Sequence, residues 1–281
     1  MKVFNLILFL LTNEIVEGQR CTNTGIRKEM KTLSEAERAA YFNAYRTMMT
    51  REPYRSQFTK MVDNHYNAGS RAHNSAFFFP WHREFLMEIE RLLQKIDSSI
   101  ILPYCNWSEY SSSPEDSYMF TDKYFGGNGS GNNNCINSGI FKGVTVDYPT
   151  RNKCIQREWN GGNRIGSFSS KAAIQITLNK KVSYDLFRAE VEGSIHSRVH
   201  VNLGGRSGDL AKMASPNDPF FACHHAFIDY LWAEWQVKRG KDGMEFGGGG
   251  ITESSTMWPW GKRVRDVLDT KNPGLCYVYD S

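Results

Sequence analysis

The sequence predicts a mainly α-helical protein with a central antiparallel four-helix bundle and long irregular loops. Three observations lead to this prediction. Apolar residues recur at three- and four-residue steps in several segments, the spacing that gives a helix one buried face. Proline or small polar residues precede those segments and glycines follow them, as is typical of helix boundaries. The seven histidines fall into two groups associated with the periodic segments.

The first residues and the overall composition bear on the protein's location and partners. Residues 1–18 carry one positive charge, then a short apolar run and small residues near Gly18. This pattern predicts a signal peptide, too short for a membrane span, and hence a secreted, extracellular protein. The net charge of +4 without a basic run indicates neither nucleic acid nor a membrane surface as partner. Residues 19–281 are predicted to form one domain, and the oligomeric state is left open.

The first two helices are predicted over residues 27–50 and from Tyr54 to about His65. Ser34, followed by acidic residues, provides a helix cap for the first. The second ends near Gly69 and carries His65 on its apolar stripe. His65 therefore points inward at the end of a helix, where a core or capping role is an alternative to metal binding.

The central helix begins near Pro80, because proline is tolerated in the first turn. His82 lies on its apolar stripe, and His73 lies on the loop before it. The other members of the stripe are Phe85, Leu86, Ile89, Leu92, Leu93 and Ile96. A buried imidazole without a partner costs about 1–3 kcal/mol, so His82 needs either a hydrogen bond or a metal.

The second half of the chain places further histidines on helices. Residues 108–172 are predicted to be irregular, with a flexible loop over 126–134. A short helix over 184–192 leads into a helix that carries His196 and His200 on one face and ends at a glycine pair.

The last long helix is opened by Asn217 or Asp218 and Pro219. Phe221 and Asp229 lie four residues before and after His225, so all three share a face. Phe221 can pack beneath the imidazole, and the Asp229 carboxylate can help to orient metal ligands.

Together the histidines indicate two metal-binding triads rather than isolated core residues. The first is His65, His73 and His82, and the second is His196, His200 and His225. Imidazole suits copper in both oxidation states, whereas dizinc hydrolases usually have bridging carboxylates.

Two stretches of the chain resemble the copper-binding signatures of the tyrosinase family, which includes catechol oxidases and mollusc-type haemocyanin units. The first signature is matched by His73, Phe78, Phe79, Trp81, His82, Arg83, Leu86 and Glu90. The second is matched by Asp218, Pro219, Phe221, His225 and Asp229. Ala222 departs from the family pattern, since a large apolar residue is preferred there. The resemblance covers nearly all of residues 19–281.

The resemblance implies two copper ions, one held by each triad, that use dioxygen to oxidise catechols to o-quinones. The implied substrates are small phenols or catechols, with tyrosyl or dopa side chains as a further option. Val201, directly after His200, and Phe221 would shape the entrance to the site.

Monophenol hydroxylation is left open by a second departure from the family pattern. Efficient hydroxylating members place a glutamate four residues before the second copper's first histidine and an asparagine directly after it. This chain has Glu192 and Ser197 at those positions. Serine is the shorter hydrogen-bonding residue, so catechol oxidation is expected to exceed monophenol hydroxylation. The alternative for Glu192 is a solvated carboxylate at a helix end.

Six cysteines in a chain predicted to be secreted suggest disulfides. Cys105 stands where the family has a core tryptophan, so Cys105 and Cys223 are either buried thiols or a pair. Of the three pairings open to the other four cysteines, we favour Cys21–Cys276 and Cys135–Cys154. Arg71 occupies the position of the cysteine that forms a thioether in many relatives, so no such crosslink is expected.

Two sequons begin at Asn106 and Asn128. Asn128 is the better candidate for glycosylation because it falls in the loop predicted to be flexible, whereas Asn106 is close to the core.

Three other functions fit parts of this pattern. An oxygen carrier would keep the six histidines but block the path of the substrate. We expect a single unit without a shielding domain, which argues against a carrier. A metal-binding protein without oxidase activity would have the same sequence features. A dizinc hydrolase is disfavoured because carboxylate ligands are missing. Metal content would separate these possibilities.

Overall fold

The structure is a computed structural model that describes residue 21 and residues 23–280. The signal peptide predicted for residues 1–18 lies outside the described residues. The described chain is mainly helical, as predicted, and its strands are only two or three residues long. None of the described helices has both the length and the apolar character needed to cross a bilayer.

Seven α-helices are present in the part of the chain that the structure describes. They are α1 (Glu35–Thr50), α2 (Tyr54–Ala68), α3 (Phe78–Gln94), α4 (Lys171–Leu178), α5 (Tyr184–Glu190), α6 (Ser197–Gly204) and α7 (Phe220–Arg239). A π-helical segment, Val191–His196, joins α5 to α6 without a break. Because π-helical turns are concentrated at functional sites, this segment marks the place where His196 is positioned.

The described strands form four two-stranded pairs. They are β1 (Gly25–Arg27), β2 (Gly129–Ser130), β3 (Cys135–Ile136), β4 (Thr145–Val146), β5 (Lys153–Cys154), β6 (Thr256–Met257), β7 (Lys262–Arg263) and β8 (Tyr277–Tyr279). Three pairs are antiparallel and join strands that are consecutive in the chain, whereas β1 and β8 pair in parallel from opposite ends.

The helix predicted over residues 27–50 begins at Glu35, so the prediction was wrong for its first two turns. Arg27 instead lies in β1, and the Glu29 carboxylate accepts the N–H of Lys31 at the start of a 3-10 turn. Ser34 caps α1 with a reciprocal pair of hydrogen bonds to Glu37. The pairing of β1 with a distant strand therefore takes the place of local helix formation.

Aromatic contacts establish that α3 and α7 are antiparallel. Residues with increasing numbers along α3 contact residues with decreasing numbers along α7. The pairs, with ring-centroid distances, are Phe79–Trp232 (5.1 Å), His82–His225 (4.5 Å) and Phe85–Phe221 (5.8 Å). Both helices therefore bring a histidine to the same level of the bundle.

The other two members of the bundle are also antiparallel to their neighbours. The continuous α5–π–α6 segment meets α7 in falling order, at Phe187–Trp235 (4.6 Å), His196–His225 (4.9 Å) and His200–Phe221 (6.1 Å). Lys95 at the end of α3 contacts Gln57 near the start of α2, while Trp81 contacts His65 near its end. The predicted antiparallel four-helix bundle is confirmed.

Glycine and aspartate fix where the bundle helices end and begin. Gly69 and Gly205 follow α2 and α6 with φ of 53° and 54°, a left-handed conformation that stops a helix and favours glycine. At the start of α7 the Asp218 carboxylate accepts the N–H of Phe220 at 3.0 Å. Arg157 holds the same carboxylate through two hydrogen bonds of 2.9 and 2.8 Å. These helix boundaries determine where the histidines lie along the axis of the bundle.

Three disulfides connect the described segments. They are Cys21–Cys276, Cys105–Cys223 and Cys135–Cys154. The two favoured pairings are confirmed, and the alternatives for Cys105 and Cys223 are resolved in favour of a bond. That bond joins the segment after α3 to α7, one residue before a pair of histidines.

The loop predicted to be flexible over residues 126–134 contains β2 and the turn that leads to β3. The Asn128 amide nitrogen donates to the carbonyl of Gly162, and its amide oxygen accepts from Gly129 and Trp159. Glycosylation would have to use that nitrogen and displace its hydrogen bond. Glycosylation at Asn128 stays a prediction.

Candidate metal centre

The first histidine group comes from two helices and the loop between them. His65 lies in the last turns of α2, His73 in the loop and His82 in the first turns of α3. Their ring centroids are 5.0 Å apart for His65–His73, 4.9 Å for His73–His82 and 5.6 Å for His65–His82. Ring nitrogens of all three lie within 4.8 Å of one another, which is close enough to share one metal ion.

The second group is built from the π-helical segment, α6 and α7. Ring centroids are 4.4 Å apart for His196–His200, 4.9 Å for His196–His225 and 5.3 Å for His200–His225. The Nε2 atoms of His200 and His225 are 3.1 Å apart. The three rings therefore converge on one point.

The two groups adjoin each other. The rings of His82 and His225 stack at 4.5 Å with an angle of 13° between their planes. The ring of Phe221 lies 4.1 Å from His225 and 5.1 Å from His65, so it packs against both groups. The packing of Phe221 beneath His225 agrees with the sequence prediction.

Backbone carbonyls fix how four of these rings are protonated. The Nδ1 atoms of His65, His82, His196 and His200 lie 2.7, 2.7, 3.1 and 2.6 Å from carbonyl oxygens. A neutral ring that donates from Nδ1 keeps the lone pair of Nε2 free. Nε2 is buried without any hydrogen-bond partner in His65, His82 and His196. Several free nitrogen lone pairs in one buried cluster suit a metal centre.

Burial also keeps the histidines neutral. Loss of hydration lowers the pKa of His73 and of His200 to about 4. The same cause lowers the pKa values of His65, His82 and His225 well below the usual range. Neutral imidazole is the form that binds a metal, so these rings are ready to act as ligands at neutral pH.

A fourth histidine, His224, lies beside the second group. Its ring stacks on His196 at 5.4 Å, and its ring nitrogens take part in the same 4.8 Å cluster. The indole N–H of Trp107 donates to His224 Nδ1 at 3.1 Å. The sequence contains no direct signal for this bond, because Trp107 and His224 are 117 residues apart along the chain.

Glu192 is buried, so the alternative of a solvated carboxylate is wrong. One carboxylate oxygen accepts the N–H of Asn74 at 2.6 Å, and the other accepts from Arg188 at 2.9 Å. Burial raises the pKa of Glu192 and outweighs the lowering effect of those two contacts. Glu192 thus ties the helix that carries His196 to the loop that carries His73.

Ser197 and Val201 directly follow His196 and His200, and Ser197 is half-buried whereas Val201 is exposed. The Ser197 hydroxyl donates to the carbonyl of Gly193 at 2.6 Å, so its proton is directed to its own helix. Val201 is 55% exposed directly after His200, which is consistent with a place at the entrance.

Asp229 contacts no histidine by a hydrogen bond in the described chain, so the expectation that it orients the ligands directly was wrong. Its carboxylate instead accepts from Arg83 at 2.6 Å, from Tyr279 at 2.6 Å and from Tyr277. Asp229 thereby joins α7 to α3 and β8.

Comparisons with known proteins identify the family. Residues 55–238 match the family model described as the common central domain of tyrosinase. A tyrosinase of Streptomyces lincolnensis is 32% identical over 274 residues, covering 87% of this chain and 96% of that protein. The chain belongs to the tyrosinase family.

Other comparisons agree with this identification. A tyrosinase of Streptomyces antibioticus is 34% identical over 213 residues, covering 69% of this chain and 76% of that protein. A polyphenol oxidase from Thermothelomyces thermophila has a similar fold, with a TM-score of 0.75, 23% identity and coverage of 92% of this chain and 89% of that one. A functional unit of octopus hemocyanin also has a similar fold, with a TM-score of 0.70 and 18% identity. The match covers 92% of this chain and 68% of that one. This member of the tyrosinase family is a copper-dependent oxidoreductase, and its cofactors are two copper ions.

Proposed function

We propose that this protein is a secreted catechol oxidase in which each histidine triad holds one copper ion. The triads are His65, His73 and His82 for one ion and His196, His200 and His225 for the other. The observation that carries this assignment is the set of buried, neutral rings with free nitrogen lone pairs, brought together by four segments of the bundle.

The protein's own residues hold the ligands in position. Carbonyl oxygens of Met213, Phe78, Glu192 and Leu210 accept the Nδ1 protons of four rings. Such partners fix the tautomer and the orientation of a ligand. The bound copper ions supply the electron exchange between the phenol and dioxygen. Phe221 packs on two of the rings and excludes water beneath them.

The exposed Val201 is proposed to line the path by which a flat aromatic ring reaches the centre. Its 55% exposure directly after His200 supports this role. We expect small catechols to enter here, with phenolic side chains of a peptide as a second class. Oxidation to the o-quinone removes two electrons and two protons from the catechol, and dioxygen is the electron acceptor.

We propose that Glu192 and Ser197 make monophenols poor substrates. A phenol must lose a proton of pKa about 10 before it can be hydroxylated. Glu192 is buried with both oxygens already accepting hydrogen bonds. The Ser197 hydroxyl proton is directed to Gly193. Neither side chain has a geometry that holds a proton-accepting water firmly, and catechols depend less on such a water because they lose their first proton more easily.

Secretion is proposed from the predicted signal peptide together with the disulfides. All six cysteines are paired, which is typical of an oxidising compartment. A chain expressed with residues 1–18 should reach the medium with those residues removed, as mass spectrometry of the secreted protein would record. Recovery of the uncleaved chain inside the cell would contradict this proposal.

An oxygen-binding role is the second candidate, because the fold is similar to that of an octopus hemocyanin unit. The two functions differ in catechol turnover. A carrier would bind dioxygen reversibly with negligible turnover, whereas a phenol oxidase would convert catechol continuously.

The test is catechol oxidation by copper-loaded wild type and by two variants. His82→Ala and His225→Ala each remove one ligand of one triad, and we expect each to abolish quinone formation, because the oxidation would need both metal ions. Asn137→Ala, an exposed change on the β2–β3 hairpin, is the control and should match wild type. Substantial turnover by either histidine variant would contradict the two-copper assignment.

A further inference from the structure

His224 differs from four of the six histidines assigned as ligands in the kind of group that its Nδ1 atom faces. Nδ1 of His65, His82, His196 and His200 faces a carbonyl oxygen, an acceptor, so those rings donate. Nδ1 of His224 faces the indole N–H of Trp107 at 3.1 Å, so this ring accepts. An indole nitrogen can only donate, which leaves no ambiguity about the direction of this bond.

The direction of the bond determines what His224 can bind. With its Nδ1 lone pair used by Trp107, the neutral ring carries its proton on Nε2. Neither nitrogen then has a free lone pair for a metal, although ring nitrogens of His224 lie within 4.8 Å of those of His196, His200 and His225. We propose that Trp107 excludes His224 from metal binding and so limits the second site to three histidines. This inference rests on the ligand assignment made above.

A covalent link holds Trp107 in the position that this role requires. Cys105 lies two residues before Trp107, and Cys223 lies directly before His224. The two cysteines form a disulfide. The N–H of Cys105 also donates to the carbonyl of Cys223 at 3.2 Å. Both cysteines, Trp107 and His224 are fully buried. We call these four residues the clamp.

Packing fixes the plane of the indole within the clamp. The Trp107 ring meets Phe227 edge to face at 5.0 Å and Phe168 at 5.5 Å. Rotation of the indole away from His224 would therefore have to displace two aromatic rings. The disulfide sets the position of Trp107 and the aromatic neighbours set its orientation.

The number of histidines at the second site has a chemical consequence. Four nitrogen ligands complete the coordination of a metal, whereas three leave a position for substrate or dioxygen. A site that captured His224 would bind its metal more firmly and would be less able to react. Trp107 thus acts as a positioning residue that preserves an open coordination position.

The test uses cobalt(II) in the full chain, because the visible spectrum of cobalt reports its coordination number. Trp107→Phe removes the indole N–H, which lets the Nε2 lone pair of His224 become available. We expect the visible spectrum to shift towards that of a cobalt ion with complete nitrogen coordination. We also expect a chelator to remove one of the two cobalt ions about tenfold more slowly. The matched control is Trp232→Phe, because Trp232 is also fully buried but its indole N–H has no partner. The control should keep the wild-type spectrum and release rate.

A second variant separates the proposed role from a purely structural one. In Trp107→Phe combined with His224→Phe, the surplus ligand is gone and no unpaired polar group is left, so the double variant should fold. We expect it to recover the wild-type cobalt spectrum and release rate. A shift in Trp107→Phe that persists in the double variant would overturn the proposal.

Two other results are decisive as well. If wild type binds two cobalt ions and Trp107→Phe has the same spectrum as wild type, the role of the clamp is overturned while the assignment of the two triads stands. Wild type that binds fewer than two cobalt ions would overturn the ligand assignment and this proposal with it.

Discussion

Helices α3 and α7 carry two buried polar clusters that differ in how their atoms are paired. The histidine centre includes His82 and His225. One residue further along α3, and one turn further along α7, begins a second cluster, which we call the anchor. The anchor consists of Arg27, Arg83, Glu90, Asp229, Tyr277 and Tyr279. In the histidine centre several ring nitrogens have no partner, whereas the anchor's charged groups pair with one another.

The anchor is built to hold segments together. Arg83 donates to Asp229 and to the carbonyls of Val267 and Leu268. Arg27 reaches Glu90 at 3.1 Å and lies 3.6 Å over the ring of Tyr277. These contacts join β1, β8 and the two helices. Within these two clusters, the polar groups are paired where they join segments of the fold, and several are unpaired where the copper ions would bind.

The largest expected effect separates the two clusters by stability. Asp229→Leu leaves two buried arginines without their carboxylate, and breaking such a network costs about 3–5 kcal/mol. His82→Leu removes a ring whose Nε2 already lacks a partner, so we expect it to change the free energy of unfolding of the metal-free protein by less than about 1.5 kcal/mol. Urea unfolding of both variants without metal measures the two costs. Equal costs would contradict the comparison.

The two clusters should lose their contributions to the free energy of unfolding at different pH values. Burial lowers the pKa of His73 and His200 to about 4, below the value of about 6.5 in the unfolded chain. Between these values the unfolded state binds more protons, so stability falls as pH falls from about 6.5 to about 4. Because one pKa unit corresponds to about 1.4 kcal/mol, we expect a loss of about 3 kcal/mol for each of these two histidines in the metal-free protein.

The anchor responds in a lower range. Burial alone would raise the pKa of Asp229, but Arg83 and Arg27 outweigh it, and the net pKa is lowered. A carboxylate with a lowered pKa stabilises the fold above the unfolded value of about 3.9 and loses that contribution as pH falls through its folded value. Urea unfolding at pH 7.5, 5 and 3 should therefore record roughly half of the histidine loss by pH 5 and the Asp229 loss only below about 4. Unchanged stability between pH 7.5 and 5 would contradict the assignment of the first loss to the histidines.

The smallest expected effect is at Ser197, next to His196, where the hydroxyl already donates its proton to the carbonyl of Gly193. Ser197→Asn should raise tyrosine hydroxylation by about tenfold, which is less than the roughly 10²–10⁴-fold that a general base itself contributes because asparagine would only help to hold the water, and leave catechol oxidation nearly unchanged. Wild type should oxidise catechol clearly faster and act on tyrosine after a lag. Both substrates are measured on both proteins at matched copper content. Immediate tyrosine hydroxylation by wild type, unaffected by Ser197→Asn, would contradict this account of Ser197.

The helices of the bundle could be predicted from the sequence because their apolar stripes and boundary residues are local signals. The stripe around His82 predicted α3, although Pro80 proved to be its third residue. Local signals also placed His65 near the end of α2, facing the interior. The same reasoning failed at residues 27–34, because β1 forms only through pairing with β8 at the other end of the chain.

The unpredicted parts of the candidate site depend on which distant residues meet. Helical spacing placed Asp229 on the face of His225, but the pull of Arg83 and Tyr279 turned its carboxylate to the anchor. The π-helical segment at Val191–His196 has no periodic signal of its own. The bond between Trp107 and His224 joins residues 117 positions apart, and the two neighbouring cysteines were the sole local indication of that contact.

Copper content tests the central claim most directly. Metal-free protein is loaded with copper(II), excess metal is removed, and copper per chain is measured together with the electron paramagnetic resonance signal. We predict two copper ions per chain with a signal far below that of two isolated ions, because adjacent copper(II) ions couple magnetically. One copper ion per chain, or the full signal of two separate ions, would contradict a centre formed by His65, His73 and His82 together with His196, His200 and His225.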